Sequence, residues 1–476
     1  MSDELAFVPA RVLRDRIAKK QLSSVELTEW TLRRIETLNP RLNAFLTVTA
    51  DLALDAARKA EAAVMRGETL GPLHGVPISI KDLEGVAGVR FTRGSLLHKG
   101  DVCKTDSLCV ERIRAAGAVI VGTTNTPEFG ASGTTENRLG PPCLNPWNPE
   151  RTPGGSSGGA AASVAAGITA IAQGSDGGGS IRIPASFCGL YGIKATQGRA
   201  PRRHAGLHSW HPVNNSSVGP ITRDVGDAAV LLNALSGPFP DAEFVALHTP
   251  PPDFTTALGR SVKGLRIAWS PDFGGAPVDP EVVAVCARAV RAFEELGAAV
   301  EETTFKPDDP MTVLETFGTF SSTKTYATHL DAIGREDSLT DYFREVLERG
   351  RAVTGDRLFA AYSRLMAYRA YTRDFFARWD LLLSPTLAVP AFPIGQLPTT
   401  IGGQKVAVPR VGFFPFTYPF NILGNPAATV PCGFSADRLP IGLQIVAKLE
   451  DELTVFTASA AFERARAWAA HRPPIS

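Results

Sequence analysis

The chain has 476 residues with 49 Lys+Arg against 48 Asp+Glu, a formal net charge of +1, so no global field draws it to nucleic acid or an anionic membrane. The length admits two or three ordinary domains or one large α/β domain with ample core. Six dispersed cysteines without a CxxC or Cys/His cluster point to reduced thiols and no metal site, and no run reaches the roughly 20 apolar residues of a membrane helix.

The N-terminus, MSDELAFVPARVLRDRI, is acidic where a secretory signal would be basic, so a cytoplasmic location is expected. Residues 10–66 read as helices. Val12, Leu13 and Ile17 form a short apolar stripe. Ser23 with Glu26 makes a capping box for a helix running to Pro40, and the alanine-rich segment 51–66 stops at Gly67. In GVPISIKD (75–82) the apolar residues alternate, the period of a strand that delivers Lys81 and Asp82 at its end. A helix (105–116), a strand (118–122), a long polar loop (123–155), a small-residue helix (159–166) and a strand (168–173) follow, then a glycine run and a short segment from Ile181. This alternation predicts an α/β fold: a large mixed, mostly parallel central sheet covered by helices on both faces, with functional residues at strand ends. A proline-rich excursion (237–263) precedes a strand (264–269), a helix (280–296), a strand (298–305), several helices (311–379), strands near 380–384, 427–431 and 441–447, and a final helix (451–470). No repeat of 20–50 residues is present.

The stretch RTPGGSSGGAAASVAAGITAIAQGSDGGGSIRIPA (151–185) frames Ser156 and Ser180 with glycine. Glycine is costly in ordered elements, so two such runs call for backbone that turns tightly and presents its N–H groups. On the residues alone Ser180 is either a nucleophile beside an anion-holding loop or a capping serine in a turn. A serine nucleophile needs a base. None of the eight histidines stands out, and each reads as a surface or capping residue. Lys81 is either a solvated strand-end lysine paired with Asp82, the favoured reading, or a buried amine of depressed pKa that serves as base. The aromatic stretches at Trp210–His211 and 412–423 read as core ahead of pocket.

The segments GVPISIKD (75–82), TPEFGASGTTEN (126–137), PGGSSGG (153–159) and SDGGGSIRIPASFCGLYGIK (175–194), with GPITRDVGDAAVLL (219–232) and PAATVPCGFSADRLPIGLQIVA (426–447), resemble the amidase signature family. The resemblance spans nearly the whole chain, thinning between about 238 and 425. It implies one amidase domain over 1–476: an N-terminal helical layer (1–66), a catalytic core (67–236), a variable substrate-pocket region (237–425) and C-terminal strands and helix (426–476). It also implies Ser180 as nucleophile, Ser156 as bridging serine after a cis peptide, and Lys81 as base, ahead of the neighbouring Ser157. The amides of Gly177, Gly178, Gly179 and Ser180 would form the oxyanion hole, Asp176 and Arg182 would brace it, and Gly130 and Ser132 would contact substrate. Gly177 departs from the threonine or isoleucine common in the family. The expected activity is hydrolysis of an uncharged aryl or alkyl carboxamide, without cofactor. Carbamate or ester hydrolysis and the glutaminase component of a tRNA-dependent amidotransferase are the alternatives. The expected partners are a small-molecule substrate and, as an assembly, a homodimer.

Overall fold

The computed structural model describes residues 5–203, 215–239 and 246–476. Thirteen strands are present among them: β1 (Phe45–Val48), β2 (Pro77–Lys81), β3 (Val119–Thr124), β4 (Ile171–Asp176), β5 (Tyr191–Lys194), β6 (Ser217–Thr222), β7 (Arg266–Trp269), β8 (Ala299–Glu302), β9 (Leu381–Pro385), β10 (Thr400–Ile401), β11 (Gln404–Lys405), β12 (Ala427–Phe434) and β13 (Pro440–Ala447). Eleven form one sheet in the order β1-β3-β2-β4-β6-β5-β12-β13-β9-β7-β8, and β10 and β11 make a separate hairpin.

The sheet is mixed, but less parallel than expected. The β2–β3, β2–β4, β7–β8 and β7–β9 pairs are parallel. The other six pairings are antiparallel, including the whole run from β4 to β9. The reason is local. β12 and β13 follow each other directly in an antiparallel pair, and β6 lies antiparallel between β4 and β5. The alternating strand–helix pattern holds only toward the two edges.

Both faces of the sheet are covered. Because successive strand residues point to opposite faces, Leu381 and Leu383 of β9, Ile267 and Trp269 of β7, and Ile445 of β13 join one core with the helices Pro280–Glu295 and Glu452–Ala465. Their neighbours Leu382, Ala268 and Val446 join another with the helices Pro310–Thr328 and Gly355–Arg378. The aromatic stretch near 412–423 supplies Phe413, Phe416 and Phe420 to this second core. Trp210 and His211 lie outside the described residues.

The capping box at Ser23 and Glu26 is formed, but its helix (Ser24–Leu42) runs through Pro40 to an αL cap at Asn43. Gly67 closes the helix Ala50–Arg66 in the αL conformation that a glycine C-cap adopts readily. No helix among the described residues is long and apolar enough to cross a membrane.

Candidate active site

β2 and β4 run side by side and parallel, Ile78 opposite Ile171 and Ser79 opposite Ala172. Their carboxyl ends therefore open onto the same rim, the usual position of sites in α/β sheets. Lys81 is the last residue of β2 and its backbone N–H donates to Gln173 Oε1 at 3.0 Å. The glycine loop 177–180 leaves the end of β4. The small-residue helix Gly158–Ala165, entirely buried, brings Ser156 and Ser157 in from the preceding loop.

Lys81 is fully buried. Its Nζ lies 2.7 Å from Ser156 Oγ, 2.9 Å from Ser157 Oγ and 3.4 Å from the Ser175 carbonyl. Burial pushes its pKa well below the ordinary 10.5, and the Arg202 charge lowers it further, against weaker opposing pulls from Asp176 and Glu84. Asp82, the partner of the favoured sequence reading, turns away. Its carboxylate accepts from Thr92 N at 3.1 Å and from Thr92 Oγ1, and burial raises its pKa to about 7 despite those bonds. The solvated-lysine reading is thereby corrected: the Asp82 carboxylate is taken up by Thr92, and the buried Lys81 amine meets Ser156 and Ser157 instead.

The Gly155–Ser156 peptide bond is cis. A Cβ on Gly155 would come within 2.6 Å of the Thr134 carbonyl carbon, and Thr135 Oγ1 holds the Gly154 carbonyl at 2.7 Å. The loop is thus pressed against residues 134–135, and glycine is the residue that fits. Ser157 N donates to the Ser180 carbonyl at 3.2 Å, which ties the two serine loops together. Among the described residues no hydrogen bond joins the hydroxyls of Ser156 and Ser180. Such contacts are often long before substrate binds.

Asp176 organises the glycine loop. Its buried carboxylate accepts from Gly179 N (2.7 Å), Ile181 N (3.2 Å) and Arg182 N (3.4 Å), and is gripped by Arg182 Nε (2.9 Å) and Nη2 (3.0 Å) and by Asn421 Nδ2 (2.9 Å). Burial alone would raise the Asp176 pKa. The Arg182 charge and hydrogen bonds, then Asn421 and Lys194, more than offset it and hold the carboxylate below its usual range. Arg182 is itself completely buried and spends its remaining donors on Thr417 O, Gln444 Oε1 and Asn421 Oδ1. Asp176 and Arg182 thus form one buried hydrogen-bonded network with the glycine loop.

One expected oxyanion donor must be withdrawn. The Gly179 amide is committed to Asp176 and is not free to hold an anion. The amides of Gly177, Gly178 and Ser180 have no acceptor among the described residues, and all three residues line the cavity. Gly179 has φ +133°, and a Cβ there would lie 2.8 Å from Thr417 Cβ. A Cβ on Gly178 would meet Phe317 Cζ at 2.8 Å, whereas one on Gly177 would find nothing closer than 3.6 Å. The position where this chain departs from the family pattern is the one where a side chain fits.

A cavity of about 930 Å³ opens over these groups, with Ser156, Ser175, Gly178, Ser180, Phe317 and Phe414 on its wall. Gly130 and Ser132 line it. Gly130, with φ +72°, faces Ser156 so closely that a Cβ would lie 3.2 Å from its Oγ. Ser132 Oγ sits 3.0 Å from Thr134 Oγ1. Phe414, read as core, belongs to both core and cavity. The histidines at 74 and 98 are buried, not surface, residues: His74 Nε2 lies 2.9 Å from Ala60 O and His98 Nδ1 2.8 Å from Asp101. His329 lines the cavity. Sequence reasoning missed Ser157 as a lysine contact and Arg202 as the charge near Lys81. Ser157 carried a signal, since Lys81 reaches adjacent serines, but Arg202 lies 121 positions from Lys81 and only the fold unites them.

A buried lysine thus lies against two serines, beside a strand-end glycine loop whose amides at Gly177, Gly178 and Ser180 have no acceptor among the described residues. The family model described as Amidase matches residues 26–456. The chain is 39% identical to an acylamidase of Rhodococcus erythropolis, over 99% of this chain and 98% of that protein. It is 37% identical to a glutamyl-tRNA(Gln) amidotransferase subunit of Moorella thermoacetica, over 99% of each. A bacterial aryl acylamidase structure of the amidase signature family superposes with a TM-score of 0.93 at 32% identity, covering 98% of each chain. The substrate complex of 6-aminohexanoate cyclic dimer hydrolase gives 0.88 at 31% identity, covering 99% of each. The chain belongs to the amidase signature family and is an amidase.

Proposed function

We propose that the chain hydrolyses a carboxamide, aryl or alkyl, through an acyl-enzyme on Ser180. The observation that carries this reading is the fully buried Lys81 amine 2.7 Å from Ser156 Oγ. A neutral primary amine has two N–H donors and one lone pair. Ser157 Oγ and the Ser175 carbonyl take the donors, and the lone pair is left to receive the Ser156 proton. Ser156 in turn takes the proton of Ser180 as the Ser180 oxygen attacks the substrate carbonyl. The oxyanion falls to the amides of Gly178 and Ser180, with Gly177 beside them. Each such donor is worth about 3–4 kcal/mol of transition-state stabilisation. The relay then returns the proton to the departing amine, and water releases the acyl group by the reverse path.

Carbamates and esters present the same carbonyl, so the triad admits them as substrates. A second reading, the glutaminase component of a tRNA-dependent amidotransferase, is supported by relatives such as the Moorella protein. Against it, the structure of a glutamyl-tRNA(Gln) amidotransferase subunit from Thermotoga maritima superposes with a TM-score of 0.79, below the 0.93 of the aryl acylamidase. A hydrolysis screen across anilides, aliphatic amides, carbamates, esters and glutamine tests the proposal. Anilide turnover by the chain alone supports it. Turnover of glutamine, and of no anilide, overturns it in favour of the second reading.

A further inference from the structure

The cavity wall is cationic in a chain that is nearly neutral overall. Arg93, Arg202, Lys324, Arg349, Arg357 and Arg410 lie on it, against the carboxylates Glu315 and Asp331. Several of these arginines face a carboxylate: Arg202 pairs with Glu84, Arg357 with Glu315 at 3.6 Å and Arg410 with Glu345 at 3.8 Å. Arg93 differs. Among the described residues no carboxylate stands within 4.0 Å of it, a trait it shares with the exposed Arg349. Its Cζ rests 4.8 Å from the centroid of the Phe91 ring, and its Nη1 lies 3.4 Å from His98 Nε2. His98 is in turn occupied by Asp101 at 2.8 Å, with Asp331 at 3.9 Å.

The Arg93 backbone is also unusual, one of seven non-glycine residues with positive φ among the described residues. Arg93 has φ +56°, uncommon for a residue with a side chain, and such conformations cluster where function over-determines them. The turn is fixed next to the reacting groups. Asp82, which follows Lys81, holds Thr92, and the Arg93 carbonyl accepts from Phe129 N at 2.8 Å. Phe129 precedes Gly130, the residue against Ser156.

We infer that Arg93 anchors an anionic group, a carboxylate on the acyl or the amine portion of the amide substrate. The inference rests on the amidase reading and departs from the wholly uncharged carboxamide expected from sequence. A guanidinium with no carboxylate within 4.0 Å among the described residues, on a cavity wall where cations outnumber carboxylates, concentrates anionic ligands and binds a carboxylate by charge-assisted hydrogen bonds.

The test uses the full chain and three anilides: pentanoyl-4-nitroanilide, its glutaryl analogue with an acyl-side carboxylate, and N-pentanoyl-4-aminobenzoate with an amine-side carboxylate. Turnover of the neutral anilide by the wild type tests the amidase reading by itself. Calorimetric binding to S180A, which needs no turnover, tests Arg93. Expected is tighter binding of one acidic analogue than of the neutral anilide, with a ratio that falls about tenfold in S180A/R93Q and partly recovers in S180A/R93K. Cooperative thermal unfolding of both double variants establishes that they are folded. Equal binding of all three ligands, or a ratio untouched by R93Q, overturns the inference whether or not the wild type turns over the neutral anilide.

Discussion

Replacing Asp176 by asparagine removes one charge and hardly any volume, so it isolates what the carboxylate contributes. Whichever side keeps its oxygen, three of the six bonds are lost. Retaining Oδ1 forfeits Ile181 N and both Arg182 N and Nε, and retaining Oδ2 forfeits Gly179 N, Arg182 Nη2 and Asn421. The new NH₂ then points at donors, and Arg182, with no exposed surface, is left as an uncompensated buried cation. Breaking a buried pair in this way costs about 3–5 kcal/mol. With a urea m-value of ~3 kcal/mol/M or more for a chain this long, the midpoint should fall by about 1 M. D176N should also lose kcat, because the Gly179 anchor that sets the neighbouring amides is weakened. The double variant D176N/R182M should cost well under the sum of the single changes, since they share one interaction. A D176N midpoint within ~0.2 M of wild type, with kcat intact, would refute the claim that this carboxylate holds the loop.

Because the Asp176 pKa is depressed in the folded state, its contribution is fully present above the unfolded value near ~3.9 and is lost as pH falls through the lower folded value. For D176N, the urea midpoint deficit relative to wild type should therefore persist at neutral pH and shrink only below about pH 4. Activity should depend on the opposite kind of group: kcat/KM should rise with pH as Lys81 loses its proton and level off well below the ordinary lysine value of 10.5. A limb that titrates at 10.5 itself would contradict the buried neutral amine. S156A should lower kcat by about 10³-fold or more, as removal of a relay member does in other serine hydrolases, while circular dichroism stays native. G178A should lose more activity than G177A, by at least ~10-fold, because its new methyl meets Phe317 at 2.8 Å and the other meets nothing within 3.6 Å.

How far these features were readable in the chain depends on the distance over which they act. The capping box at Ser23, the stop at Gly67 and the strand that ends in Lys81 all rest on neighbouring residues, and the structure shows each. The antiparallel centre of the sheet was not legible, because the direction of β6 and β12 depends on which distant strands flank them. The same holds within the site. Glycine spacing marked the 177–180 loop, but spacing does not say that Gly179 turns its amide to Asp176 and its neighbours do not. That choice follows from the Asp176–Arg182 pair, which Gln444 and Asn421 lock from more than 200 residues away. Lys81 shows the limit of local reasoning most clearly. Its adjacent carboxylate suggested an ion pair, and burial sent the two side chains to different partners.

The most direct measurement is rapid-quench mass spectrometry of the full chain reacting with an excess of a slowly deacylating aryl carbamate. A mass increase of one carbamoyl group is expected on the peptide that contains Ser180, formed more slowly in K81M and absent in S180A. Undiminished turnover in S180A, or a label carried by any other residue, would contradict Ser180 as the nucleophile served by Ser156 and Lys81.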